Sequence, residues 1–257
     1  MSYVIKHIKN QVHQKNRNFV GIIVGKVGTG KSYSAMRLAE ELDDKFSIDK
    51  VFFNVEDLLR CVHENKMYPG EVLILDEAGV AISNRQHYMN KFNKSMAFLL
   101  QTWRHRNLVL FVTVPDIAFV DAGIRKLFDA ILECRKVLKR ERKVVADWKF
   151  IQVNPQSGKA YFHNIKGRDG VYTVKISKPS VKLLHIYEKK KTEFTTKLYQ
   201  TLEEATDTKP KKESKVNDIR RCPECGNLGD YRRAKNRFEC RKCPATWEFS
   251  PSKRANI

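Results

Sequence analysis

Nowhere in its 257 residues does this sequence carry a run approaching the roughly 18 apolar residues that a membrane-spanning helix needs. The N-terminal stretch MSYVIKHIKNQVHQKNRN is amphipathic and polar, and lacks the apolar segment of a secretory signal. These two absences remove the membrane-embedded and secreted classes from expectation and favour a reducing cytoplasm. In that compartment six cysteines read as metal ligands or buried thiols, not as disulfides. Acidic residues are in short supply, with 29 Asp and Glu against 49 Lys and Arg, a net charge of +20. This excludes an acidic solvating protein and favours a polyanionic partner. There is no internal repeat. The 42% of hydrophobic residues suffices for the core of one full α/β domain with a small extra module.

The positive charge is concentrated. Residues 1–134 carry 18 basic and 15 acidic side chains, residues 135–200 carry 17 and 5, and residues 201–257 carry 14 and 9. More than half of the excess therefore lies in the middle quarter of the chain.

Up to residue 135, short apolar runs alternate with helical patterns, the signature of a parallel sheet flanked by helices. Strands are expected at Phe19–Val24, Lys50–Val55, Val72–Leu75, Leu108–Val114 and Ile131–Leu138. Helices are expected at Ser32–Leu42, Asn90–Arg106 and Ile124–Ala130. Beyond residue 140, Trp148–Val153 and Lys159–Asn164 flank the turn NPQSG as a hairpin, GRDG at Gly167–Gly170 marks another turn, and a strand at Val171–Ile176 precedes a basic helix over residues 180–204. Thr206–Asp218 is polar and without a large aromatic, as a linker is. The expected division is an α/β domain at 1–140, a β-rich basic extension at 141–205, a linker at 206–219 and a cysteine module at 220–257.

The strongest motif is GKVGTGKS, comprising Gly25, Lys26, Val27, Gly28, Thr29, Gly30, Lys31 and Ser32. It matches G-x-x-x-x-G-K-[ST], follows a buried strand and opens a helix, where loop amides and the helix N-terminus can cradle phosphate oxygens. Lys31 is expected on the β- and γ-phosphates of ATP and Ser32 on Mg²⁺. About 45 residues on, EVLILDEAG ends an apolar strand on Asp76 and Glu77. Asp76 is expected at Mg²⁺, directly or through water, and Glu77 on the attacking water.

One strand lies between these motifs in chain order, and a glutamate follows the aspartate. This resembles the additional-strand, catalytic-glutamate division of P-loop ATPases. The run QTWRHRNLVLFVTVPDIAFVDAGIRKL at 101–127 resembles the zonular occludens toxin (Zot) family of phage morphogenesis ATPases, a branch of the FtsK–HerA translocase superfamily. The shared parts are Arg104-His105-Arg106, the strand Leu108–Val114 and Val120–Arg125, within a likeness spanning about residues 18–135. Two departures stand out. The glutamine usual at the tip of the fourth strand is replaced by Val114, which leaves Thr113 as the nearby polar residue. No segment corresponds to the membrane span of the filamentous-phage members. The resemblance implies ATP hydrolysis by a homo-oligomer, with a hexameric ring as one arrangement, and makes Arg104 and Arg106 arginine-finger candidates on a neighbour's γ-phosphate. The competing reading of those arginines is a basic helix terminus stabilised by the helix dipole.

Cys222-Pro-Glu-Cys225-Gly and Cys240-Arg-Lys-Cys243-Pro form two C-x-x-C knuckles separated by 14 residues. Four thiolates so arranged can close a tetrahedral Zn²⁺ site, a zinc ribbon, with a redox-active dithiol as the alternative. Cys61 and Cys134 have no partner knuckle and read as ordinary thiols. The ribbon's basic residues suit either nucleic acid or protein docking, and the basic middle suits either sequence-independent DNA binding or solvation. Two functions remain: an oligomeric DNA translocase or packaging ATPase, and an ATP-switched DNA-binding adaptor or replication/partition factor with little turnover.

Overall fold

Strand burial sets the architecture. The computed structural model describes residues 2–64, 67–76, 93–100, 103, 106–167, 170–171, 173–207, 221–232, 235 and 237–248. It divides into two compact units, Met1–Tyr199 and Gln200–Ile257. In the first unit, β1 (Phe19–Val24), β3 (Val72–Leu75) and β4 (Val109–Val114) are buried at every position. Central parallel strands covered by helices on both faces have this character. With β2 (Val51–Phe52) and β5 (Ala130–Leu138) they make a parallel five-strand block in the order β5-β1-β4-β3-β2. The strand between β1 and β3 in space is β4; the one between them in the chain, β2, lies at the edge.

The segment after residue 140 joins the same sheet. β6 (Lys143–Val153) pairs antiparallel with β5, and along its other edge with β7 (Ala160–Asn164) and β10 (Thr173–Ser177). β8 (Lys166–Gly167) and β9 (Gly170–Val171) form a separate two-stranded hairpin at the expected turn. Among the described residues the sheet thus has eight strands, and the basic hairpin β5–β6 is an outgrowth of the parallel strands themselves.

Side chains alternate between two cores. Phe19, Ile23, Ile74 and Phe111 face one side, against α1 (Ser2–Lys9), α2 (Lys31–Leu42) and α6 (Val181–Asp207). Ile22, Leu73, Leu110 and Val112 face the other, against α3 (Val55–Glu64) and α4 (93–100). Met96, Leu99, Leu100 and Trp103 are buried there, as their spacing requires; the remainder of the expected Asn90–Arg106 helix, Phe92 included, lies outside the described residues.

Two expected elements are shorter than their patterns. β2 stops at Phe52 because Asn54 caps the next helix, its Oδ1 accepting from the Asp57 amide at 2.7 Å. The helix expected at 124–130 is the single turn α5 (Ala122–Arg125), started by Asp121 accepting from the Gly123 amide. It ends early because Asp129 is drawn onto the start of β1, accepting from the Val20 amide at 2.7 Å and from Gln11 at 3.0 Å. Burial raises the pKa of that carboxyl.

The second unit holds an antiparallel three-stranded sheet: β11 (Gly229–Arg232), β12 (Arg237–Cys240) and β13 (Thr246–Glu248). α6 runs to Asp207, and the expected linker beyond it lies outside the described residues.

Candidate functional site

β1 ends at Val24 and delivers the chain directly into Gly25–Ser32, with α2 starting at Lys31. Gly25, Gly28 and Gly30 all take positive φ, at 151°, 80° and 85°. Gly25 has a second reason to be glycine, because a Cβ there would lie 2.7 Å from the Cys134 carbonyl oxygen on the adjoining β5. The loop is braced internally: Thr29 Oγ1 and Lys31 Nζ donate to the Lys26 carbonyl at 2.7 and 3.0 Å. Val27 stands at the exposed tip, 91% accessible. Lys31 and Ser32 open onto a cavity of about 660 Å³. Its other walls come from the β5–β6 hairpin (Val137, Arg142, Lys143, Val144) and from Lys178, Tyr187, Glu188 and Lys191 at and before α6. Among its charged lining residues Lys31, Arg142, Lys143, Lys178 and Lys191 outnumber the single carboxylate of Glu188, a balance that suits a polyphosphate.

Asp76 follows the last residue of β3, placed by its amide donating to the Phe52 carbonyl at 2.7 Å. Its side chain is fully buried. A buried carboxylate needs partners, and three are present. Thr113 Oγ1 donates to Oδ1 at 2.7 Å, the Tyr187 hydroxyl donates to Oδ2 at 2.6 Å, and Lys191 Nζ lies 3.7 Å from Oδ2. The strand alternation explains why Thr113 matters. It lies on the face of β4 that bears Val109 and Phe111, towards α2 and α6, whereas Val114 packs into the opposite core. Thr113→Val is therefore expected to keep ATP binding within about threefold while slowing turnover about tenfold, the effect of removing one hydrogen bond to a charged group. Single-turnover hydrolysis checks this, and an unchanged rate would leave Thr113 a packing residue.

Glu77 and Arg104 lie outside the described residues. Arg106 precedes β4, and β4 runs parallel to β1, so it sits at the end of the sheet opposite the phosphate loop. There its Nη1 donates to the Val62 carbonyl of α3 at 2.7 Å.

Tyr187 and Lys191 were not singled out from the sequence as members of the site. Lys191 falls within the Lys189-Lys190-Lys191 run, part of the basic middle that suits either DNA binding or solvation. The helix separates the three. Lys190 Nζ donates to the Ile48 and Val51 carbonyls at 3.0 and 2.8 Å, and burial lowers its pKa. Lys191 reaches Asp76, and Lys189 is exposed. A usable signal was present in the helical stripe Leu183, Tyr187, Lys190, Phe194, which marks the face that α6 buries. On the same face Tyr33 donates to Glu188 Oε1 at 2.6 Å, and burial, aided by that carboxylate, pushes its phenol up to about 12. Cys134 is a buried thiol, pushed up to about 11 by burial, and Cys61 is half-buried.

In the second unit the sulfurs of Cys222, Cys225, Cys240 and Cys243 all lie within 4.8 Å of one another, with 222–243 at 3.6 Å and 225–240 at 3.4 Å. Four thiolates around one Zn²⁺ at about 2.3 Å stand about 3.8 Å apart, so this group fits a single tetrahedral ion. The knuckles have the required turns: Gly226, at φ 72°, donates to the Cys222 carbonyl, and the Lys242 amide approaches Cys240 Sγ at 3.4 Å. Hydrogen bonds from Asn227 favour the Cys225 thiolate, the form a metal binds. Phe238 packs between Tyr231 and Trp247, and the Trp247 ring covers Gly229, where any side chain would collide with it.

No protein-family model matches the chain, and no curated protein matches it. Among solved structures it is similar to the N-terminal domain of zonular occludens toxin from Neisseria meningitidis, at 15% identity over 61% of this chain and 100% of that one, with a TM-score of 0.34. It is also similar to the genome packaging NTPase of Sulfolobus turreted icosahedral virus 2, solved with ATP-gammaS, at 14% identity over 57% and 97% of the two chains and a TM-score of 0.29. A KaiC-like protein from Pyrococcus horikoshii OT3 shares 12% identity over 61% and 89%, with a TM-score of 0.30. Among the described residues no helix is long and apolar enough to cross a membrane. The strand order β5-β1-β4-β3-β2, the phosphate loop after β1 and the aspartate at the tip of β3 together give this chain the fold of a P-loop NTPase.

Proposed function

We propose that this chain is an Mg²⁺-dependent ATPase that works as a cytoplasmic homo-oligomer on DNA, as a translocase or packaging motor. The observation that carries the reading is the buried Asp76 carboxylate, held by Thr113 at the strand tip beside the open phosphate loop. The Ser32 hydroxyl and the Asp76 carboxylate are hard oxygen donors suited to Mg²⁺, which when bound would neutralise charge on the terminal phosphates. Lys31 and the loop amides orient the phosphates, and Glu77 is assigned to the attacking water. An arginine of the Arg104–Arg106 pair serves a neighbouring subunit's nucleotide, since Arg106 lies at the far end of its own sheet; oligomerisation is therefore part of the proposal.

Support for a DNA partner is electrostatic. Arg135, Lys136, Lys139, Arg140 and Arg142 are exposed along the β5–β6 hairpin, whose inner side lines the nucleotide cavity. Charge of this kind binds phosphates without reading sequence. The cysteine group is assigned one structural Zn²⁺, with the ribbon as a separate module beyond a linker that follows α6 at Asp207.

The test is ATP turnover with and without double-stranded DNA, run beside native mass. Hydrolysis by an oligomer, stimulated severalfold by DNA, supports the motor; DNA binding by a chain that barely turns over selects the ATP-switched adaptor. Glu77→Gln is expected to bind ATP normally and hydrolyse it about 100-fold more slowly, because only the positioning of water is lost. Near-normal steady-state turnover would move that role to another group.

A further inference from the structure

α6 is a wall of the nucleotide cavity, and it brings a second cation to it. Four attachments set its position along the sheet. The Ser180 amide at its start donates to the Glu40 carboxylate at 3.1 Å, and Tyr187 is buried with its hydroxyl on Asp76. Lys190 donates to the carbonyls of Ile48 and Val51, and Phe194 stacks on Phe53 at 4.8 Å. Lys191 is one helical turn beyond Tyr187, so the two side chains share a face and both arrive at Asp76. The Lys191 ammonium also lies 5.6 Å from the centre of the Tyr187 ring, a cation–π distance that steadies its stem. At 30% side-chain exposure it is neither free in solvent nor sealed away, and it borders the same cavity as Lys31 and Ser32.

From this placement we propose that Lys191 is a second phosphate-facing cation of the site, delivered from within the chain to the terminal-phosphate end of the bound nucleotide, and that Tyr187 is a positioning residue for the Asp76 carboxylate. The inference rests on the nucleotide-site reading above and deepens it. Asp76 is assigned the γ-phosphate end of the site, because it ends β3 on the loop's side of the sheet and is bonded to Thr113 at the tip of β4, the strand next to β1 and its loop. An ammonium within 4 Å of that carboxylate therefore faces the charge that distinguishes ATP from ADP. Two cations lining one cavity, Lys31 from the loop and Lys191 from α6, would both meet the polyphosphate. In a partly enclosed site such a charge acts more strongly than it does in water.

The test is nucleotide binding by the full chain with calorimetry, for ATP and ADP separately, with turnover measured alongside. Lys191→Met is expected to weaken ATP about tenfold and ADP by less than twofold, and to slow turnover about 100-fold. Lys191→Arg, which keeps the charge, should restore most of the ATP preference. Tyr187→Phe keeps the ring and removes only the hydroxyl. It should leave the ATP-to-ADP preference near wild type and raise the Mg²⁺ concentration needed for half-maximal turnover. An ATP-to-ADP ratio and a turnover rate both unchanged in a folded Lys191→Met protein would overturn the lysine's role and make it an ion pair for Asp76 alone. If Lys191→Met does not fold, Lys191→Arg decides: a lost ATP preference or a wild-type one is read on a protein that keeps the charge and the packing, and loss of preference overturns simple charge placement. Wild-type protein that binds neither nucleotide fails at the earlier step, and sinks the nucleotide-site reading together with this one.

Discussion

Lys31→Ala protein is expected to bind ATP at least about 100-fold more weakly than the wild type while retaining its fold. The lysine opens α2, its ammonium reaches back across the loop to the Lys26 carbonyl at 3.0 Å, and its stem borders the 660 Å³ cavity. With nucleotide bound, that ammonium exchanges a carbonyl for phosphate oxygens. Each charge-assisted hydrogen bond of this kind is worth about 1.5–3 kcal/mol, and two of them account for a 100-fold loss or more. The fold should survive because α2 is held elsewhere, by Ala35, Met36, Leu38 and Ala39 in the core beneath it. Calorimetry with ATP and thermal melting on the same sample separate the two quantities. Undiminished affinity would remove the phosphate-binding role from this loop.

The second large effect is expected in the cysteine unit. Freshly purified protein should carry one Zn²⁺ per chain, and stripping it should unfold residues 221–248 while ATP binding persists. The reason is the size of the core. Among the described residues of this unit only Cys222, Gly229 and Phe238 are buried, and three short strands with one buried aromatic cannot offset the backbone entropy of ordering them. Zinc held by four thiolates contributes about 10–16 kcal/mol near neutral pH, more than such a module needs. Cys222→Ser should act as the chelator does, since its sulfur is the most enclosed ligand. The readouts are metal analysis, Trp247 fluorescence and limited proteolysis. A metal-free protein whose ribbon stays protected would mean that the strands stand without the ion.

The motifs that carry local chemistry were legible from the residues alone. GKVGTGKS announces its own geometry, because glycine at three positions and a following helix leave few other conformations for the loop. The two C-x-x-C knuckles, fourteen residues apart, likewise named their ligand set before any distance was known. Strand patterns at 19–24, 72–75 and 109–114 were readable because central parallel strands are apolar on both faces. These are short-range features, decided by a residue and its near neighbours in the chain.

What the tertiary structure decided is long-range. Asp76 takes its partners from positions 37, 111 and 115 residues away, and no spacing in the chain predicts that Thr113, Tyr187 and Lys191 converge on it. Three consecutive lysines read as one basic run suited to DNA or to solvation, yet a helix turns each by about 100°, so Lys190 meets backbone carbonyls and Lys191 meets the buried aspartate. The stretch after residue 140 read as a β-rich basic extension; that its strands pair onto β5 and continue the same sheet depends on the open edges of β5 and β6. The sequence alone determined which atoms could bind phosphate and zinc. Which side chains stand beside the buried aspartate depended on sheet order and helix docking, because a desolvated carboxylate must find its donors wherever the folded chain brings them.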